Sequence, residues 1–147
     1  MLRGRPQFLS RRSYGGDTPL HIAVDAGHIN VVRVLLAAGA NPDAKNDAHY
    51  TPLHRAAQSA KANGDPDIVS LLIAREADVN ARSRWGLVPL HFVARRGHIA
   101  VARVLIAHGA DVNAKSQHTG TPLAEAIKHN RTTVATLLQE HDGRAKN

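Results

Sequence analysis

The sequence predicts an all-α repeat protein, a solenoid of stacked helix–turn–helix units. Three observations predict this class. The segment TPLHIAV at 18–24 recurs as TPLHRAA, VPLHFVA and TPLAEAI, with starts 33, 37 and 33 residues apart. A second block, GHINVVRVLLAAGA at 27–40, recurs in step with the first. Hydrophobic residues make up 43% of the 147-residue chain but aromatic residues only 3%, which favours closely packed aliphatic helices over a β-sandwich.

The first thirteen residues form a basic leader. It contains four arginines and no acidic residue: Arg3, Arg5, Arg11 and Arg12. The other 134 residues hold 15 basic and 12 acidic side chains, so the leader contributes +4 and the remainder +3 to the net charge of +7. It lacks the apolar run of about 7–15 residues found in a secretory signal, and Gly4 and Pro6 interrupt the amphipathic helix of a transit peptide. We expect residues 1–13 to be disordered and the repeat domain to occupy 14–147.

Each unit is expected to begin with a short helix. Threonine is a favourable N-cap and begins three units: Thr18, Thr51 and Thr121. Proline follows at the first helical position, where a missing N–H costs nothing: Pro19, Pro52, Pro89 and Pro122. Val88 replaces the threonine in the third unit, and the lost cap should cost about 1 kcal/mol.

A glycine turn and a second helix are expected to follow. In the first unit, Gly27 ends the first helix, and apolar residues then recur at helical spacing: Val31, Val34 and Leu35. Gly39 follows the second helix, where a positive φ is favoured. Glu76 holds this position in the second unit, and a left-handed conformation costs a non-glycine residue about 1–2 kcal/mol.

With TPLHxAA, GHxxVVxxLLxxGADVNA and a period of about 33 residues, the chain resembles the ankyrin repeat family from residue 14 to about 140. The resemblance implies an α-solenoid whose helix pairs are joined by β-turn loops. The units are expected at about 18–50, 51–87, 88–120 and 121–147. Four extra residues near SAKA at 59–62 are expected to lengthen the first helix of the second unit by about one turn.

The two ends of the stack differ in polarity. The fourth unit ends in NRTTVATLLQEHDGRAKN, which is polar enough to form an end. In the first unit, Ile22 and Val24 are expected to need a covering neighbour. Either the leader folds over that face or the chain continues a longer array.

The ten histidines suggest a metal or acid–base site, but five of them occupy repeat-equivalent positions. A catalytic group has no reason to recur with each repeat. The resemblance implies that His21, His54 and His91 are structural and bond the backbone at the turns. The remaining histidines lack compact ligand spacing with a supporting carboxylate. No G-x-S-x-G elbow or phosphate loop is present. We therefore predict no enzyme activity, no metal and no cofactor.

The resemblance also implies where a partner binds, because in ankyrin arrays the turn tips and the exposed ends of the first helices line one concave face. Carried over by register, the candidate residues are Tyr50, Arg84, Trp85, Leu87, Arg95, Arg96, Gln117, His118, Lys128 and His129. Trp85 lies at a turn tip and is interpreted either as an exposed anchor or as a ring folded onto the neighbouring turn. Tryptophan and arginine are enriched at binding hot spots, and arginine binds carboxylates with two parallel hydrogen bonds.

The predicted function is protein–protein interaction by a monomer, with a partner whose surface is acidic and apolar. Two alternatives stay open: a basic module that binds nucleic acid or another polyanion, and a scaffold fragment of a larger ankyrin protein. The low content of aromatic residues argues against base stacking. No apolar run approaches the about 18 residues of a membrane span. The absence of cysteine suits a reducing, cytoplasmic location.

Overall fold

The computed structural model describes residues 6–59 and 64–142, and within them the regular elements are eight α-helices and one short 3-10 helix. The 3-10 helix is Gln7–Ser10, and the α-helices are α1 (Pro19–Asp25), α2 (Ile29–Ala37), α3 (Pro52–Gln58), α4 (Pro66–Ala74), α5 (Pro89–Arg96), α6 (Ile99–Ala107), α7 (Pro122–Lys128) and α8 (Thr132–His141). The predicted all-α repeat class is confirmed. Within the described ranges, no helix has the length and apolarity that crossing a membrane requires.

The helices form two layers. The inner layer contains the first helix of each unit, and α1, α3, α5 and α7 pack side by side in that order. The outer layer contains α2, α4, α6 and α8, and each outer helix packs on the inner helix of its own unit. Aliphatic side chains such as Leu53, Ile68 and Leu90 fill the space between the layers and are fully buried. One unit has no such interior alone, so the core exists only in the stack.

Reciprocal caps start the first two inner helices. The backbone N–H of His21 donates to Thr18 Oγ1 (3.3 Å), and the Thr18 N–H donates to His21 Nδ1 (3.1 Å). Thr51 and His54 repeat this pair. Val88 keeps only the second half, because its N–H donates to His91 Nδ1 (3.0 Å) but its side chain has no oxygen.

The same histidines join each unit to the next. With Nδ1 accepting, Nε2 carries the proton and donates to a carbonyl of the following unit: His21 to Tyr50 (2.8 Å), His54 to Leu87 (2.9 Å) and His91 to Gly120 (2.9 Å). Burial lowers the pKa of all three, that of His54 to about 4. These neutral side chains, here called the histidine row, are therefore part of the scaffold.

The turn after α4 has the strained conformation that the sequence predicts. Glu76 has φ 68°, in the left-handed region, and Gly39 at the equivalent position of the first unit has φ 101°.

Contrary to expectation, the insertion in the second unit does not lengthen α3 at its first residue. Helix α3 ends at Gln58, and Ser59 is extended, with its hydroxyl donating to the carbonyl of Asp25 (2.5 Å). The other residues of the insertion, 60–62, lie outside the described ranges.

The leader differs from expectation where it is described. Residues 6–13 were expected to be disordered, but the 3-10 helix buries Leu9 in the hydrophobic core. Arg12 Nη1 donates to the carbonyls of Gly16 (3.0 Å) and Lys45 (2.7 Å). Leu9 supplies the apolar cover that α1 needs, so this segment folds over the first unit. The cover is incomplete, since Ile22 stays 52% exposed.

Candidate partner-binding face

The turns before the inner helices form one continuous edge. Each turn is closed by a backbone hydrogen bond, such as Ser83 N–H to Leu87 O (2.9 Å) in the third unit. Neighbouring tips are also joined by backbone hydrogen bonds: Asp47 N to Gly15 O (3.1 Å), Arg84 N to Ala48 O (3.1 Å) and Gln117 N to Trp85 O (2.9 Å). The tips therefore hold a fixed spacing. With the exposed ends of the inner helices, they are here called the candidate face.

Trp85 lies at the middle of this edge, and both interpretations of its ring apply in part. Its ring centroid is 6.4 Å from that of Tyr50, with the planes tilted by 57°, so one side packs on the neighbouring turn. The residue nevertheless stays 40% exposed. Trp85 thus presents apolar surface from a ring that is already held in place.

Packed aromatic side chains support Trp85 from below. Tyr50 meets Phe92 edge to face, with centroids 5.5 Å apart, and Phe92 is 2% exposed. The Tyr50 ring also lies 5.4 Å from His54. The row from Trp85 through Tyr50 to Phe92 connects the turn tips with the inner helices, so the face has a rigid apolar centre.

Arg95 has a different role from the one expected. It was predicted to contact a partner, but its Nη2 donates to Glu125 Oε2. Its guanidinium also lies over the Phe92 ring, 5.3 Å from the centroid. Glu125 is 1% exposed and needs a compensating charge, which explains this arrangement. Arg95 therefore links the third and fourth units instead of offering a free charge.

Sequence reasoning missed Glu125, although a signal was present. In TPLAEAI it occupies the register position that holds Ile22, Arg55 and Phe92 in the other units. An acid buried between packed inner helices requires a cation on a neighbouring unit. Arg55 shows a related pair, because its Nη2 lies 3.0 Å from Asp17 Oδ2. Both ion pairs join neighbouring units, and each neutralises one positive and one negative charge on the face.

Leu87 does not present its side chain on the face. It was predicted to contact a partner but is 8% exposed and belongs to the core cluster. Its N–H donates to Ser83 Oγ (3.1 Å), and its carbonyl accepts from His54. These bonds turn the side chain inward, so Leu87 positions the turn that carries Trp85.

The remaining candidates reach solvent. Exposed side chains are Arg84, Arg96, Gln117, His118 and Lys128, and His129 is partly exposed. Arg84 Nε donates to the carbonyl of Asp47 (2.6 Å), which lays the side chain along the neighbouring tip. In the part of the chain that the structure describes, no three His, Cys, Asp or Glu side chains are grouped to hold a metal ion. The face offers shape and charge for binding.

Comparison with known proteins identifies similar sequences. The family model for ankyrin repeats (3 copies) matches residues 5–83 and 58–147. Alpha-latrotoxin-Lhe1a of Latrodectus hesperus is 36% identical over 84 residues, covering 56% of this chain and 6% of that protein. Human neurogenic locus notch homolog protein 4 is 42% identical over 81 residues, covering 54% of this chain and 4% of that protein.

A third similar protein contains other domains. The ankyrin repeat, SAM and basic leucine zipper domain-containing protein 1 of Echinops telfairi is 38% identical over 85 residues, covering 56% of this chain and 17% of that protein. The matched region is thus a small part of each of these three proteins.

Proposed function

The chain belongs to the ankyrin repeat family, whose repeats generally mediate protein–protein interaction, and we propose that it binds a partner protein through the candidate face, without catalysis. The observation that carries this proposal is Trp85, which stays 40% exposed on a rigid aromatic base. The proposed partner surface is apolar opposite Trp85 and acidic around it. A monomer inside the cell is part of the same proposal.

The arrangement of Trp85 favours tight binding for a physical reason. A side chain that is free in solution loses conformational entropy when a partner immobilises it, about 0.5–1.5 kcal/mol for a side chain with many rotamers. Contact with Tyr50 already restricts Trp85, and the hydrogen bond from Gln117 N–H to its carbonyl fixes its backbone. More of the contact energy therefore remains available for binding.

Crosslinking from two exposed positions tests this proposal. A photoreactive amino acid replaces His118 on the turn edge or, as the control, Arg103 on the outer helix α6. We expect illumination in a cell extract to join a discrete protein to the His118 variant and not to the Arg103 variant. Equal products from both positions, or a product from Arg103 alone, would show that another surface binds.

A row of cations supports polyanion binding as a second candidate function. Four exposed basic side chains share one register position, six residues before the first residue of each TPLH block: Arg12, Lys45, Arg82 and Lys115. Each of the first three donates to the carbonyl of the next member, as Arg12 does to Lys45 (2.7 Å). This order suits weak contact with successive phosphates or sulfates.

Salt dependence separates the two candidates. Polyanion binding through this row should weaken steeply between about 50 and 200 mM salt and fall further in Arg82→Glu with Lys115→Glu. Binding to heparin and to single-stranded DNA, measured by fluorescence polarisation, checks it. If added salt and the charge reversals leave the affinity for both polyanions unchanged, this second function is overturned, and the protein-binding function is decided by the crosslinking experiment above.

A further inference from the structure

We propose that the candidate face binds its partner in a single orientation, because equivalent positions of the face carry acidic side chains in the first two units and basic side chains in the last two. The ligand is an extended segment of a protein. Its basic part lies over the first two units, its acidic part over the last two, and an apolar residue between them contacts Trp85. This inference rests on the proposed function and adds the charge order of the partner.

The row of turn tips shows the reversal first. The same register position, four residues before each TPLH block, holds Tyr14, Asp47, Arg84 and Gln117. Asp47 and Arg84 are both exposed, and the bond from Arg84 Nε to the Asp47 carbonyl keeps the two tips adjacent. The sign therefore changes from negative to positive between the second and third units.

The ends of the inner helices reverse at the same boundary. The register position seven residues after the start of each TPLH block holds, in order of the units, Asp25, Gln58, Arg95 and Lys128, and the next position holds Ala26, Ser59, Arg96 and His129. Asp25 is the acidic member and lies in the first unit, whereas Arg96 and Lys128 are exposed cations in the third and fourth units. Two separate rows, from turns and from helices, thus carry the same polarity.

Charges between these rows cancel and leave the polarity intact. Asp17 is paired with Arg55, and Glu125 with Arg95. Arg12 Nη1 donates to the carbonyls of Gly16 and Lys45, and the cationic row to which it belongs contributes one exposed cation to each of the four units. The difference in sign is therefore carried by Asp25 and Asp47 in the first two units and by Arg84, Arg96 and Lys128 in the last two.

Opposed polarity determines which way a charged segment can lie. A segment with matching order places opposite charges together along both rows, and the reversed segment places like charges together. Complementary charge acts mainly on specificity and association rate. The effect reaches about 8 Å through physiological salt, so each half of the face acts on its own half of the ligand.

Selection from a random twelve-residue peptide library displayed on phage tests the inference. The baits are the unaltered chain and an exchange variant with Asp47→Arg and Arg84→Asp on the tips and Asp25→Lys and Lys128→Glu on the helices. The matched control exchanges exposed charges on outer helices, Asp67→Lys on α4 and Arg103→Glu on α6. Each bait keeps the original net charge, and a variant with the tip exchange alone serves if the full exchange fails to fold.

We expect the unaltered chain and the control to enrich peptides with one charge order around an apolar residue, and the exchange variant to enrich the opposite order. Two synthetic peptides of equal composition and reversed charge order should then differ at least tenfold in Kd for the unaltered chain, by fluorescence polarisation. Peptides without a charge order, or with the same order on all baits, overturn the inference while the proposed function stands. If no enriched peptide depends on Trp85, the proposed function fails as well.

Discussion

The histidine row and the candidate face lie a few residues apart in each of the first three units but follow opposite rules. His21, His54 and His91 make the same pair of hydrogen bonds in three successive units. The tip position four residues before each TPLH block holds four different residues: Tyr14, Asp47, Arg84 and Gln117. Positions that hold the same residue in successive units stabilise the stack. Positions that differ between units determine the chemistry of the candidate face.

Among these predictions, acid should have the largest effect, because it should destabilise the fold through the histidine row. Burial lowers the pKa of His54 to about 4, against 6.5 for the free side chain, and lowers those of His21 and His91. The unfolded chain takes up protons first, so stability is full above about pH 6.5 and falls as the pH drops towards 4. We expect His54 alone to account for about 3 kcal/mol.

Urea unfolding followed by circular dichroism at several pH values checks this prediction. His118→Ala, which removes an exposed side chain outside the histidine row, is measured beside the unaltered chain as the control. A free energy of unfolding that stays constant between pH 7 and 4.5 would contradict the structural role of the histidine row.

The ion pair between Arg95 and Glu125 shows that one element of the face belongs to the scaffold. Removing one partner of a buried pair costs about 3–5 kcal/mol, and solvent screening at Arg95, whose side chain is 35% exposed, reduces this. We therefore expect Glu125→Ala to lower the free energy of unfolding by about 2 kcal/mol. In α8, Glu140→Ala removes an exposed carboxylate and should change it little. An equal free energy of unfolding for both variants would show that the pair of Arg95 and Glu125 does not stabilise the fold.

The turn after α4 should give a smaller effect of opposite sign. Glu76 has φ 68°, which glycine adopts without strain, so Glu76→Gly should stabilise the fold by about 1 kcal/mol. The control Glu140→Gly places glycine in the last turn of helix α8, where no left-handed conformation is required, and should destabilise by up to about 1 kcal/mol. Chemical unfolding of both variants measures the difference. If both destabilise equally, the left-handed turn carries no strain.

Much of the scaffold was predictable from the sequence, because caps, turns and histidines recur at fixed intervals. The candidate face was less so. Arg95 and Glu125 lie thirty residues apart and meet only because neighbouring inner helices pack side by side. Leu87 and Tyr50 share a register position, yet one is buried and the other half-buried. The repeat determines the backbone position of a residue, whereas contacts with neighbouring side chains determine the orientation of its own side chain.

The leader shows the same limit. Its arginines and Pro6 suggested disorder, but the buried Leu9 and the hydrogen bonds of Arg12 place residues 6–13 against the first unit. Burial of a leucine contributes about 1.5–3 kcal/mol. The composition of the leader does not reveal the effect of a single apolar residue. The need for this leucine follows only from the apolar face of α1, which would otherwise lack a cover.

The most direct measurement compares Trp85→Ala with Phe92→Ala, using the protein that is crosslinked through position 118. Trp85 is 40% exposed and Phe92 is 2% exposed, although their rings belong to the same row. We expect Trp85→Ala to weaken the partner's Kd by about thirty-fold, or about 2 kcal/mol, and to lower the free energy of unfolding by no more than about 1 kcal/mol. Phe92→Ala should instead lower the free energy of unfolding by about 3–5 kcal/mol. If Trp85→Ala unfolds the chain and its folded fraction binds the partner with unchanged Kd, Trp85 belongs to the scaffold and the candidate face is not the binding surface.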